Sequence, residues 1–165
     1  MIFELHPPRA AGPLRIGATG HDTVEILRQL GTPLVLCRTR GRRPGWGVHR
    51  SSGLFIGAYF DADDRLEAIE FGRPDGSDDA ITYDGLDVFT TPAADLVAQL
   101  RQHTTIHAEA EEDGHFFTAP NLLLSLWLFT PESPDEQEGR FFGSVLIARP
   151  GYCDQPAERD ETSRE

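Results

Sequence analysis

Several things are scarce or missing in this chain, and each absence removes a class of explanation. Lysine is absent, and all 15 basic residues are arginine. GC-rich coding explains that composition without any chemical role. Only two cysteines are present, Cys37 and Cys153. They lie far apart in unlike contexts, so a disulfide framework is excluded and free thiols are expected. No segment approaches the ~18 consecutive apolar residues of a membrane span. The N-terminus, MIFELHPPRAAGPLRIG, has no basic region followed by a long apolar run. A cytoplasmic protein with no membrane role is therefore expected. G-x-S-x-G, P-loop and dinucleotide-binding fingerprints are missing too. No cofactor is expected, and the chain reads as non-catalytic.

What is present is enough for one domain. The 165 residues are 39% hydrophobic, with ten Phe and two Trp to fill a core. The expected organisation is a single α+β domain over residues 1–152, then an acidic tail, 153–165, with the composition of a disordered segment. The formal net charge is −12. Such a balance repels nucleic-acid phosphates and anionic membranes, favours solubility and attracts basic partners. The charge is uneven. Residues 36–50 carry Arg38, Arg40, Arg42, Arg43 and Arg50 with no acid, whereas residues 51–165 carry 7 Arg against 24 acids.

The central stretch is Leu54 to Phe71, LFIGAYFDADDRLEAIEF. Alternating faces on either side of Asp61 to Arg65 predict a hairpin in mid-sheet. Before it, Thr19 is a candidate N-cap and Asp22 suits the first turn of a helix. Val24, Ile26, Leu27 and Leu30 supply its apolar stripe, Gly31 is a C′ candidate, and Pro33 prevents continuation. Ile2 to Leu5 and Leu34 to Cys37 read as short strands. RTRGRRPGWGVHR reads as a loop rich in Gly and Arg, in which Trp46 either folds over the core edge or anchors a partner.

After the hairpin, Asp84-Gly85 between Ile81–Tyr83 and Leu86–Phe89 signals a type I′ turn, which needs positive φ at both central residues. Thr91-Pro92 opens a second helix with Pro at N1, and Ala93, Leu96, Val97 and Leu100 form its buried face. A strand is expected near Thr105 to Ala108, followed by the acidic run EAEEDG as a loop. Leu122 to Thr130 is apolar on both faces and predicts a central, covered strand. Phe141 to Arg149 is the last strand. Strand runs broken by isolated helices argue for an α+β fold: a mostly antiparallel sheet of about six to eight strands with two helices packed on it.

Three constellations bear on function. Asp61, Asp63 and Asp64 resemble the start of a calcium loop, but Arg65 stands where the third oxygen ligand belongs and no Gly follows. His103 and His107 are four apart, yet Thr104 replaces the Glu of a zinc-protease helix and the β-branched run Thr104 to Ile106 disfavours a helix. No metal is expected. Glu109, Glu111, Glu112 and Asp113 form an acidic run that reads either as a solvated loop or as a patch for a basic partner. Candidate partner-binding residues are thus Asp61, Asp63, Asp64, Glu109, Glu111, Glu112, Asp113 and Trp46. The alternative is a small-ligand or enzyme site built from Arg38, Arg40, Arg42, Arg43, His49 and Arg50, with Trp46 as a lid.

Two family resemblances bear on these readings. IGATGHDTVEILRQLGTP and AYFDADDRLEAIEF resemble the helix–hairpin unit of the SmpA/OmlA lipoproteins and of β-lactamase inhibitory proteins. YDGLDVFTTPAADLVAQL, PNLLLSLWLF and FFGSVLIARPGY are similar to small immunity proteins that neutralise bacterial polymorphic toxins. The second resemblance implies a non-enzymatic, acidic, cytosolic inhibitor that masks a basic toxin domain, as a monomer or homodimer. Toxin-binding surfaces differ widely among such proteins, so it transfers no binding residue.

Overall fold

The computed structural model describes residues 1–36, 44–129 and 138–152. Among the described residues are two helices and thirteen strands. In chain order they are β1 (Ile2–His6), β2 (Ala10–Ala11), β3 (Leu14–Arg15), α1 (Gly20–Leu30), β4 (Leu34–Leu36), β5 (Gly45–His49), β6 (Phe55–Phe60) and β7 (Leu66–Gly72). Then follow β8 (Ala80–Tyr83), β9 (Leu86–Asp87), α2 (Ala93–Leu100), β10 (His107–Glu111), β11 (Gly114–Ala119), β12 (Leu124–Phe129) and β13 (Ser144–Ala148). The architecture is α+β, as expected. The expected tail, 153–165, and both cysteines lie outside the described residues.

The strands form an eight-stranded sheet, ordered β10-β11-β12-β13-β7-β6-β5-β4, and a five-stranded sheet, ordered β3-β2-β1-β8-β9. Every pairing in the larger sheet is antiparallel, and β6–β7 sits in its interior. The smaller sheet is the main departure from expectation. It arises because β1 pairs in parallel with β8, Phe3 opposite Ile81, across nearly half the chain. Neither β1 nor β8 carries a local signal for that partner.

Helix α1 follows its signals closely. The Thr19 hydroxyl accepts a hydrogen bond from the Asp22 amide, and the helix starts at Gly20. Its buried stripe is Thr23, Leu27 and Leu30, flanked by half-buried Val24 and Ile26. Gly31 ends it for a different reason from the one expected. Its φ of 172° is extended, not left-handed. A Cβ there would come within 3.3 Å of the His49 carbonyl oxygen, so glycine serves close packing against β5. In α2 the expected face, Ala93, Leu96, Val97 and Leu100, is buried, although Pro92 precedes the helix instead of occupying its first turn.

Three further segments differ from the reading of their composition. Gly45 to His49 is a strand, not a loop. Its glycines let backbone and rings approach: a Cβ on Gly45 would lie 2.8 Å from the Ala58 carbonyl oxygen, and one on Gly47 3.0 Å from the Phe55 ring. Of the acidic run, Glu109 to Glu111 continue the strand, since His107–Glu111 pairs with β11 along the sheet edge, and only Glu112 and Asp113 form a turn. Strand β12 is central, but its outer face is only partly covered: Ser125 is buried, whereas Phe129 is 43% exposed. At Asp84-Gly85 the expected turn forms, with φ of 50° and 78°.

One contiguous core joins all of this. The inner face of the large sheet supplies Val48, Ile56, Ala58, Ile69, Phe71, Leu124, Leu126, Val145 and Ile147. Leu27 and Leu30 from α1, Leu96, Val97 and Leu100 from α2, and Phe3, Leu5 and Ile81 from the small sheet pack against them. Phe3 and Phe71, with ring centroids 5.6 Å apart, join the two sheets.

Candidate functional site: the outer face and acidic edge of the large sheet

Side chains alternate along a strand, so residues opposed across the ladder share a face. With both helices and the small sheet on the inner side, the register assigns a second set to the outer side. From the β5 end it runs through Gly47, Phe55, Gly57, Tyr59, Glu70 and Leu146. It continues through Trp127, Phe116 and Glu109, which are opposed in sequence along one row. A neighbouring row holds Phe129, Gly114 and Glu111.

This face is partly floored with glycine. A Cβ on Gly47, Gly57 or Gly72 would meet the Phe55 side chain at 3.0–3.1 Å, so Phe55 packs close over bare backbone. Tyr59 donates a hydrogen bond of 2.5 Å to Glu70 on the adjacent strand. At the other end, Trp127 is flanked by Phe116 at 5.9 Å and by Phe129 at 6.0 Å, the latter edge-on at 80°. Phe116 and Trp127 are half-buried. All five residues of β10 are exposed. Aromatic surface therefore runs directly into a carboxylate-bearing edge.

The expected partner-binding residues do not form one patch. Glu109 and Glu111 lie on β10, and Glu112 and Asp113 form its turn to β11. Asp61, Asp63 and Asp64 lie in the turn joining the interior strands β6 and β7, at least four strand spacings from β10 or roughly 19 Å. Their hairpin tip is docked and not free. The Asp61 carboxylate accepts from the amides of Asp63 and Arg65, and it lies 3.6 Å from Arg149. The Asp64 carbonyl accepts from the amide of Gly20 at the start of α1. Trp46 is half-buried against the core, the first of the two placements its sequence context allowed.

The alternative site is dispersed as well. Arg38, Arg40, Arg42 and Arg43 lie outside the described residues. His49 rests against Phe55 at 5.1 Å. The Arg50 guanidinium donates to Asp79 at 2.8 Å and to the Leu30 carbonyl at 3.0 Å, closing the C-terminal end of α1. Asp79 also accepts from the Ser52 hydroxyl at 2.5 Å and lies 3.1 Å from the Met1 amino group. Burial alone would raise the Asp79 carboxyl. The hydrogen bonds from Arg50, Ser52 and that amino group outweigh it and lower the pKa from 3.8 to about 2. Arg50 thus has a structural task.

A shallow cleft of about 420 Å³ opens elsewhere, lined by Glu4, Leu5, His6, Pro7, Arg9, Tyr83, Asp84 and His103. Burial, then the neighbouring Asp84 charge, push the Tyr83 phenol up, so the hydroxyl stays a donor. The sequence reading missed this cleft. Its residues come from β1, the β8–β9 turn and the end of α2, which only the parallel β1–β8 pairing brings together. Among the described residues no cluster of three or more His, Cys, Asp or Glu is placed to hold a metal ion. No helix among them is long and apolar enough to cross a membrane. Comparison with protein-family models, with curated proteins and with solved structures gives no match.

Proposed function

We propose that this chain is an acidic protein-binding inhibitor, of the kind that neutralises a cognate basic toxin domain, and that it binds through the outer face of its large sheet. The observation that carries this reading is the continuity of Phe116, Trp127 and Phe129 with the carboxylates of β10. The net charge of −12 and the resemblance to immunity proteins support it.

Magnitudes indicate how the work divides. Phe129 is 43% exposed. Covering the remainder of such a ring removes on the order of 80 Å² from water, about 2 kcal/mol. A few rings at that value cannot overcome the entropy of association by a wide margin. The carboxylates therefore select the partner and steer its approach, while the rings hold it. The test is complex formation between the full chain and the toxin domain encoded beside it. A complex that weakens sharply at high salt, and by about tenfold in Trp127→Ala, is expected. Failure either to bind or to protect cells from that toxin sinks the proposal.

A further inference from the structure

The two edges of the large sheet are chemically unlike. Strand β4 presents Leu34 and Val35, 39% and 52% exposed, and no charge. Strand β10 reads HAEAE, with its whole length exposed and, among the described residues, no strand paired to its outer side. Alternation places His107, Glu109 and Glu111 on the aromatic face and Ala108 and Ala110 on the other. An open edge is a template for another strand, and charge on it decides which strand is accepted. A second copy of β10 added in register would set Glu109 against Glu109 when antiparallel and both glutamates against their copies when parallel, so the edge disfavours self-addition. A strand with arginine or lysine at alternate positions would set cations opposite both carboxylates.

Resting on the binding reading above, we propose that the basic partner contributes an extended segment that adds to β10 as a further strand, its alternate Arg or Lys side chains lying over Glu109 and Glu111. The register extends the argument inward. Glu109 is opposed to Phe116 and, one strand further, Trp127, so a guanidinium reaching past Glu109 meets ring faces suited to a cation. Glu111 is opposed to Gly114, and beyond it lies Phe129. Gly114 has φ of 158°, and a Cβ there would come within 2.1 Å of the Leu128 carbonyl oxygen. Position 114 therefore stays without a side chain, so no side chain stands between Glu111 and Phe129 in that row. Ala108 and Ala110 leave the opposite side of the edge uncrowded.

The experiment uses the full chain and two synthetic peptides of identical composition. One alternates Arg with Thr and Val; the other gathers its Arg residues in one block. Amide hydrogen exchange is followed by NMR. The alternating peptide should bind about tenfold more tightly than the block peptide and slow exchange selectively at residues 107–111. Glu109→Arg with Glu111→Arg should abolish that binding, and an alternating Glu peptide should restore it. Both positions are exposed, so folding should survive, which circular dichroism checks. Equal affinity for the two peptides overturns the proposal, as does protection at 34–36 in place of 107–111. A toxin domain that binds without protecting 107–111 overturns strand addition alone. Peptide addition at β10 with no protein partner bound overturns the inhibitor reading and leaves strand addition standing.

Discussion

At the scale of single residues, the most consequential group is Asp79. Its side chain is 2% exposed and gathers Arg50, Ser52 and the Met1 amino group at the junction of α1, the β5–β6 turn and β8. Its folded pKa of about 2 lies below the ordinary 3.8. Its contribution to stability, about 2 kcal/mol, is therefore complete above the unfolded value and is lost as the pH falls through the folded one. Denaturant melts of the protein and of Asp79→Asn should converge as the pH drops across that window. At neutral pH the variant should lose about 2–4 kcal/mol, because Arg50 keeps its charge with no carboxylate beside it. Equal pH profiles for the two proteins would contradict this account.

At the scale of elements, α1 and the β6–β7 hairpin behave as one unit. The Thr19 hydroxyl caps the helix, and Thr19 bridges to Arg65. The Gly17 amide donates to the Leu66 carbonyl, and the Leu66 amide donates back to Ala18. The acidic tip of the hairpin, exposed over residues 62–65, is also the support for a helix start. Thr19→Ala should cost about 1 kcal/mol, with Thr19→Ser recovering most of it in chemical denaturation. On the other side of the tip, Arg149 lies 3.2 Å from the Glu67 carboxylate, whose side chain is 4% exposed. Arg149→Met should lower the melting temperature, and Glu67→Gln should soften that loss by removing the buried charge. Additive losses in the double variant would show that the pair is not coupled.

At the scale of the whole molecule, the net charge of −12 acts against compactness as well as on partners. Moderate added salt should raise the melting temperature by screening repulsion among exposed carboxylates such as those of β10. The same salt should leave the Asp79–Arg50 contact nearly untouched, since it is shielded from solvent. The sheet edges set a second expectation. Carboxylates guard β10, whereas the described residues of β4 carry no charge, so self-association, where it occurs, should map to Leu34 and Val35. Replacing Val35 with Lys should then remove it in light scattering.

Much of the fold was legible because its signals are local. The Thr19 cap, the 3.6-residue stripe of α2, the Asp84-Gly85 turn and the alternation in Leu54–Phe71 each depend on residues within a few positions of one another. Composition misled where one residue type serves two purposes. Glycine in GWGVH marks close packing beneath aromatic rings, and Glu109 and Glu111 line a strand edge, yet GWGVH and the stretch from Glu109 onward read as loops. The candidate site was half visible: its carboxylates stood out in the sequence, but Phe116, Trp127 and Phe129 passed for core. The chain by itself determined the helices, the central hairpin and the charge that bears on partners, because propensity, periodicity and net charge need no knowledge of distant contacts. Only tertiary structure decided the second sheet, the cleft beside His6 and Tyr83, and the face on which rings and carboxylates meet. Each depends on which distant strands pair and in what register, and that is settled by burying one common core.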